Sequence, residues 1–269
     1  NSNLYLDIYA AALVFVMLLT MYAGTAAQDL SNITQRSHAY AKTVLNDGIM
    51  AHGGIENIRK ADKITINDKV LVKFKNAGHI LGASIVEVKV LGDQQQKKIV
   101  FSGDLGRYAD PMLYPPTPVE SADILLIEST YGDRENPIGK PDEDLARIVN
   151  RSLERGGCIL IPAFSVGRTQ LLLYYFKKLI ENGSIPDIPV YLDSPMALSA
   201  TKLHKKHFEY HKLDEFNLTN HHSVFDFKNF RYKTAQEDSV QLNNIKDNAI
   251  IISASGMCTG GRIMHHLYN

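Results

Sequence analysis

Two side chains with metal-binding chemistry follow separate strand-like runs in this sequence. His79 follows the run LVKF and precedes a turn of small residues, and Asp104 stands between Gly103 and Gly106 in FSGDLGR. Loops at strand ends commonly carry functional groups because the rigid strands fix their position. An imidazole and a carboxylate together suit zinc, and a carboxylate can bridge two metal ions. Taken singly, each residue is better explained as an ordinary loop or turn residue, so a metal site requires that the two meet.

A third acidic residue, Glu128, ends the apolar run DILLIE at residues 123–128. Such continuous apolar character favours a strand that is buried on both faces. Beside a metal, the Glu128 carboxylate would orient a ligand, whereas elsewhere it would be a surface group that caps the following STYG turn.

Two loops rich in glycine and serine are suited to phosphate groups. The segment SASGMCTGGR at residues 253–262 lies between a predicted strand and a predicted helix, and AFSVGRTQ at residues 163–170 repeats this arrangement. Backbone N–H groups, a helix N-terminus and an arginine can together bind a phosphate. A tight turn explains either loop alone, but two such loops in one α/β half favour a path for an oligophosphate. The candidate phosphate-binding residues are Ser165, Arg168, Ser194, Ser255, Gly256, Gly260, Gly261 and Arg262.

Two other chemistries have less support. Ser194 and Ser255 lie outside the GxSxG pattern of serine hydrolases. His204, His207 and His211 are spaced as on one face of a helix, but lysines surround them and no carboxylate stands at a matching spacing. A solvated helix face therefore explains these histidines better than a metal site.

The elements that must position these residues change character along the chain. Residues 28–61 read as helical, and apolar and polar residues then alternate in KITIND, VLVKFK, SIVEVKVL and KKIVFSG, which predicts half-buried strands. Strands and amphipathic helices alternate after this, which predicts an α/β half with a mostly parallel sheet. A polar, proline-bearing stretch near residues 133–140 separates the two patterns. We therefore predict domains at 1–134 and 135–269.

Three helices of the second half have recognisable ends. The run DEDLARIVNRSLERG is closed by Gly156, a second helix begins at Ser165 as its N-cap and ends on Gly183, and residues 195–211 form a third.

Composition limits the classes of protein to which the chain can belong. Of its 269 residues, 45% are hydrophobic and 22% charged, which is ordinary for a globular protein. The 29 basic and 29 acidic residues give no net charge, so nucleic acid could be bound only by a local basic groove. Two cysteines, Cys158 and Cys258, exclude a disulfide framework and fit buried thiols in a reducing compartment.

The apolar segment at residues 4–24 contains one charged residue, Asp7, and is long enough to span a bilayer. The first basic residue is Arg36, so the positive region that begins a secretory signal is missing. We expect a buried helix here and no membrane association. The first residue is not Met and neither end has terminal character, as in an internal piece of a longer protein.

Six segments, taken in chain order, resemble motifs of the β-CASP nucleases, a family with the metallo-β-lactamase fold. These segments are AGHILGAS, FSGDLGR, DILLIESTYGDR, IPAFSVGRTQ, YLDSPMA and SASGMCTGGR. They are most similar to the RNA-processing branch, which includes the endonuclease subunit of the pre-mRNA cleavage and polyadenylation machinery and its prokaryotic relatives. The resemblance implies an α/β fold, with a partial metallo-β-lactamase αββα sandwich and a partial β-CASP domain.

The resemblance also implies roles for individual residues. His79 aligns with a zinc-ligating histidine, Asp104 with the aspartate that bridges two zinc ions, and Glu128 with the acidic residue of the first β-CASP motif. Asp104 and Glu128 would then be catalytic. The implied cofactor is Zn²⁺, as two ions in the complete enzyme. The implied partner is single-stranded RNA, with a homodimer or a processing complex as further options, and the implied location is cytoplasmic, or nuclear in a eukaryote.

One departure from the family pattern bears on activity. The metal motif His-x-His-x-Asp-His occurs nowhere in the sequence, and the later β-CASP histidine motifs are absent as well. Truncation at both ends explains this better than degeneration, because His79, Asp104 and Glu128 are intact. We expect a fragment, inactive alone, of a zinc-dependent ribonuclease that hydrolyses phosphodiester bonds with a metal-activated hydroxide. A non-catalytic scaffold paralogue in an RNA-processing complex and a small-molecule metallo-hydrolase of the lactamase fold are the alternatives.

Overall fold

The structure is a computed structural model that describes residues 63–67, 70–91, 96–135, 139–213 and 224–269. The apolar segment at 4–24 and the predicted helical stretch at 28–61 lie outside these residues. Among the residues described, no helix has both the length and the apolar character needed to cross a bilayer.

The first described strands form a five-stranded sheet whose spatial order follows the chain. They are β1 (Lys63–Asn67), β2 (Val70–Asn76), β3 (Ser84–Leu91), β4 (Gln96–Phe101) and β5 (Ile124–Leu126). The alternating runs therefore form strands as predicted, and β1 pairs with β2 in the antiparallel direction.

The last of these strands corrects a prediction. The run DILLIE was expected to be a strand buried on both faces, but only Ile124–Leu126 is a strand. Ile124 is 50% exposed and Ile127 is 61% exposed. The reason is that β5 lies at the edge of the sheet, where a strand hydrogen-bonds on one side only and is easily left open to solvent.

The rest of the described chain alternates helices with the strands of a second sheet. Its elements are α1 (Pro141–Glu154), β6 (Cys158–Pro162), α2 (Arg168–Glu181), β7 (Val190–Asp193), α3 (Pro195–Lys206), β8 (Phe230–Tyr232), α4 (Gln236–Leu242), β9 (Ala249–Ser253) and α5 (Arg262–Tyr268). The sheet order is β6-β9-β7-β8 and every pair is parallel, which confirms the predicted parallel sheet.

The core of this half forms between β9 and the helices. All five residues of β9 are buried, as expected for a central strand with the apolar run AIII. On α2 the buried apolar residues Leu173, Phe176 and Leu179 recur every three positions, so they lie on one face of the helix. Leu173 and Phe176 on that face have no exposed surface. Removing such a side chain typically costs about 3–5 kcal/mol, as for a Phe→Ala change in a core.

Two helix ends were predicted with different success. Gly156 follows α1 with a φ of +75°, where glycine turns the chain without strain, so the predicted end is confirmed. The predicted N-cap Ser165 is wrong, because α2 begins at Arg168 after Gly167. The N–H of Gly167 donates to the side-chain oxygen of Gln170 at 2.7 Å, so Gln170 satisfies a backbone donor at the start of α2.

The predicted solvated histidine face is also wrong. The helix α3 ends at Lys206, and a 3₁₀ turn at Phe208–Tyr210 directs the chain back towards it. His204 and His211 are only 2% and 3% exposed, and His204 Nδ1 lies 2.9 Å from His211 Nε2. The ring of Phe225 meets that of His204 edge-on at 5.9 Å. The helical spacing was misleading because the helix stops between the two histidines.

Two compact units divide the described chain, and each is built from separate segments. The first contains residues 63–67, 70–74, 86–91, 96–100 and 121–125. The second contains 75–85, 101–120, 126–135, 139–213 and 224–269. The loops that follow β2, β4 and β5 thus belong to the same unit as the α/β half. The division at residues 134 and 135 remains a prediction.

Candidate active site

His79 and Asp104 meet at the surface of the second unit. His79 Nε2 lies 3.9 Å from Asp104 Oδ2, and the two side chains are 46% and 72% exposed. Both groups are therefore open to solvent and point to a common space.

Two glycines bring the loops of this pair together. A Cβ atom on Gly106 would collide with the carbonyl oxygen of Gly78 and would lie 2.6 Å from the backbone nitrogen of His79. The Gly106 N–H donates to the Ala77 carbonyl at 2.8 Å. Gly78 itself has a φ of +68°. The close approach of His79 to Asp104 thus depends on residues without side chains.

Glu128 holds the turn that carries Asp104. Its Oε1 accepts the Leu105 N–H at 2.6 Å, and its own N–H donates to Ser102 Oγ at 3.0 Å. The Leu105 N–H, and next the hydrogen bond with Thr130, lower the pKa of Glu128. The carboxylate is therefore ionised at neutral pH. Within the described residues, the partner of this carboxylate is thus a backbone donor next to Asp104.

The pair has the donor atoms that zinc prefers. Imidazole nitrogen and carboxylate oxygen are both common zinc ligands, and zinc sites normally take at least three ligands from the protein. Within the described ranges, no group of three His, Cys, Asp or Glu residues is placed to hold an ion. His79 and Asp104 therefore fit part of a zinc site.

The predicted phosphate loops adjoin one another. The strands β6, β7 and β9 are parallel, so their C-terminal ends lie at the same edge of the sheet. Ser165 Oγ lies 3.2 Å from Ser194 Oγ. A Cβ on Gly256 would lie 2.8 Å from the backbone nitrogen of Phe164. The loops that follow these three strands thus form one continuous edge.

The hydroxyl groups at this edge are mostly engaged. Ser194 is the N-cap of α3, where its Oγ accepts the Ala197 N–H at 3.2 Å, and it is buried. Ser255 Oγ accepts the Met257 N–H at 3.4 Å. In contrast, Arg168 is exposed, and the space beside Gly260 is open. The backbone of Gly261 packs closely against the Ala254 carbonyl, since a Cβ on Gly261 would lie 2.6 Å from that oxygen.

Arg262 points into the protein. Its Nη1 donates to Asp193 Oδ1 at 2.7 Å, and its Nη2 donates to the Thr234 carbonyl at 2.8 Å. Burial alone would raise the pKa of Asp193, but hydrogen bonds from His266, Ser239 and Arg262 lower it. The expected phosphate contact of Arg262 is therefore corrected: its guanidinium is committed to a buried carboxylate and holds the Gly260-Gly261 turn.

Asp193 is the main residue that the sequence analysis missed. It has no exposed surface and accepts hydrogen bonds from Ser239 Oγ at 2.6 Å and His266 Nε2 at 2.8 Å. An acidic residue at the end of the apolar strand run VYLD was an available signal, because a buried carboxylate requires donors.

The Ser-Val-Gly-Arg loop, residues 165–168, lies against the loop that carries His79. A Cβ on Gly167 would lie 2.9 Å from Cγ2 of Ile80, the residue that follows His79. Gly167 has a φ of +78°. The loop edge of the parallel sheet is thus in contact with the segment that presents the imidazole.

Comparisons of the sequence with known proteins find a family profile and several similar proteins. The sequence profile described as the Beta-Casp domain matches residues 169–269. The chain is 28% identical to an RNase J-like protein of Methanocaldococcus jannaschii across 99% of its length. It is 34% identical to ribonuclease TTHA0252 of Thermus thermophilus across 72% of its length. It is 30% identical to transcription termination factor FttA of Methanosarcina mazei across 94% of its length.

The chain spans only part of these relatives. It covers 62% of the M. jannaschii protein, 44% of the T. thermophilus protein and 39% of the M. mazei protein.

Proposed function

We propose that this chain is part of a zinc-dependent ribonuclease that acts on single-stranded RNA. The basis is that the chain belongs to the β-CASP family of metallo-β-lactamase-fold nucleases. The reaction is hydrolysis of a phosphodiester bond during RNA processing. The names of two relatives, an RNase J-like protein and a ribonuclease, support the reaction class.

One observation carries the proposal. His79 and Asp104 are 3.9 Å apart and open to solvent, and Gly167 packs against Ile80 in the loop that carries His79. A pair of metal-ligand side chains beside a loop with an exposed arginine is suited to a substrate that carries phosphate groups.

Each residue has a defined part in this proposal. His79 and Asp104 would hold zinc, which supplies Lewis-acid catalysis and a hydroxide nucleophile at neutral pH. Glu128, through the Leu105 N–H, fixes the turn in which the Asp104 carboxylate stands. Arg168 and the backbone around Gly260 bind phosphates of the RNA on either side of the bond that is cleaved.

Asp104→Ala in the complete protein tests the proposal. We expect less bound zinc by elemental analysis and loss of cleavage of a labelled single-stranded RNA. The control is Asp133→Ala, since Asp133 is an exposed aspartate whose carboxylate pairs with the neighbouring Arg134. Normal zinc content with normal cleavage in the Asp104 variant would contradict the proposal. RNA binding by the wild-type protein without any cleavage would favour a scaffold function instead.

A further inference from the structure

Phe164 is an exposed aromatic residue in the loop that follows β6. Its neighbour Ala163 is 2% exposed, whereas Phe164 is 55% exposed. Single exposed apolar residues are common and need no explanation by themselves. The surroundings of Phe164 set it apart from the other exposed aromatic residues of the described chain.

The backbone of Phe164 is held in place by buried groups. Its carbonyl oxygen accepts both Thr169 Oγ1–H at 2.7 Å and the Thr169 N–H at 3.3 Å. Thr169 is 1% exposed, so these bonds are shielded from water. A Cβ on Gly256 would lie 3.1 Å from Cδ2 of the Phe164 ring. One edge of the ring thus rests on a glycine backbone while the remainder is open. Such a ring loses little conformational freedom when a ligand covers it.

The position of Phe164 relates it to the candidate metal ligands. It precedes by three residues Gly167, which packs on Ile80 beside His79. The intervening Ser165 and the following Arg168 offer a hydroxyl and an exposed guanidinium on the same loop. A nucleic-acid strand with a phosphate at the His79–Asp104 pair can therefore extend along this loop.

The adjoining loops add apolar surface. Met257, on the loop after β9, is 68% exposed, and Met196, after β7, is 55% exposed. A ligand at this edge thus meets apolar surface together with polar groups. Nucleotides match this combination because each joins a flat apolar base to a charged phosphate. Every base has an aromatic face, so stacking tolerates any sequence.

We infer that the ring of Phe164 is a stacking platform for one unpaired nucleobase of the RNA whose phosphate lies at the His79–Asp104 pair. This inference rests on the proposed function and adds a base-binding position to it. The platform selects single strands, because the faces of a paired base are covered by its neighbours in the duplex. Phe164 is a binding residue and takes no part in the chemical step.

The chain contains no tryptophan, so Phe164→Trp introduces a single fluorescent reporter at the platform. Uridine oligomers are expected to quench its emission in a saturable manner, because the indole stacks on a base. An abasic ribose-phosphate oligomer of equal length should leave the emission unchanged. Tyr210→Trp is the matched control, since Tyr210 is 60% exposed and lies on the 3₁₀ turn after the far end of α3. Equal quenching by both oligomers, or in both variants, would overturn the inference.

Phe164→Ala measures the contribution of the ring to affinity. Loss of one stacked base is expected to weaken binding of the uridine oligomer by roughly fivefold to a hundredfold. Binding of the abasic oligomer and the salt dependence of binding should not change, because no phosphate contact is lost. If wild-type protein binds the uridine oligomer and Phe164→Ala binds it equally well, the inference fails and the proposed function stands. If wild-type protein binds no RNA, both fail.

Discussion

Arg262 donates a 2.7 Å hydrogen bond to Asp193, a carboxylate that has no exposed surface. The two residues are far apart in the sequence, and their contact ties the start of α5 to the end of β7. Arg262 is therefore a structural residue at the loop edge, and Arg168 is the arginine that remains open to a ligand.

Arg262→Ala should destabilise the fold by about 3 kcal/mol, because it leaves a buried carboxylate without its cation. Denaturant unfolding followed by circular dichroism measures this loss. Arg168→Ala is the matched variant. It should change stability by less than about 0.5 kcal/mol and weaken binding of single-stranded RNA, with the salt slope reduced by about 0.7. A large loss of stability in Arg168→Ala, together with weaker RNA binding and unchanged stability in Arg262→Ala, would contradict these two roles.

Gly106→Ala should separate the two loops of the metal pair. The added methyl group meets the Gly78 carbonyl oxygen and the His79 nitrogen, which are both backbone atoms that cannot rotate away. We expect a loss of about 3 kcal/mol or more in the free energy of unfolding. Gly260→Ala is the control, since nothing lies within 4 Å of its Cβ position. Equal thermal midpoints for the two variants would show that the loops adapt.

Glu128→Ala in the complete protein should weaken zinc binding about 10- to 100-fold, as for other residues that orient a ligand. The reason is that the Leu105 N–H loses its acceptor and the turn that carries Asp104 loosens. Glu128→Gln keeps an oxygen acceptor and should bind zinc more tightly than the alanine variant. Competition with a metal-binding dye measures both affinities. A zinc affinity equal to wild type in Glu128→Ala would exclude this role.

The buried histidine pair should make stability depend on pH. Burial, and next the nearby His211, lower the pKa of His204 from 6.5 to about 4. Between these two values the unfolded chain binds a proton that the folded chain does not, so stability is lost as the pH falls through this window. The loss at pH 5 is about 2 kcal/mol. Unfolding midpoints from pH 7.5 to 4.5 test this. His204→Asn should flatten the dependence, whereas a change at the exposed His265 should leave it as in wild type.

This chain by itself should bind zinc weakly and should not cleave RNA. Among the residues that the structure describes, His79 and Asp104 supply two ligands, fewer than the three that a zinc ion normally takes from a protein. Elemental analysis after dialysis and a cleavage assay with added zinc provide the check. Tight stoichiometric zinc with cleavage that a chelator abolishes would show that further ligands are present.

Local patterns predicted the parallel sheet and the loops that carry His79 and Asp104. Strand ends and glycine-bearing turns are short-range features, and the glycines that let the two loops touch are visible in the sequence. The meeting of the pair was an expectation that spacing alone could not establish, because it depends on which strands are neighbours.

The failures concern residues whose surroundings come from distant parts of the chain. The role of Arg262 could not be read locally, because its partner Asp193 reaches it only when β7 and β9 pair side by side. The burial of His204 depends on the 3₁₀ turn that returns His211 to it. An exposed β5 was likewise unpredictable, since its place at the sheet edge is a property of the whole sheet.

The position of β9 has a consequence for the order in which the protein forms during synthesis. Of the described strands of the second sheet, β9 is the last to be translated, yet it lies between β6 and β7, which do not neighbour each other in the sheet. A ribosome that has not passed Ser253 therefore carries β6 and β7 without the strand that joins them. The edge that brings Phe164, Ser194 and Ser255 together arises only after β9 has been translated, so until then an emerging chain has no assembled surface with which to engage RNA.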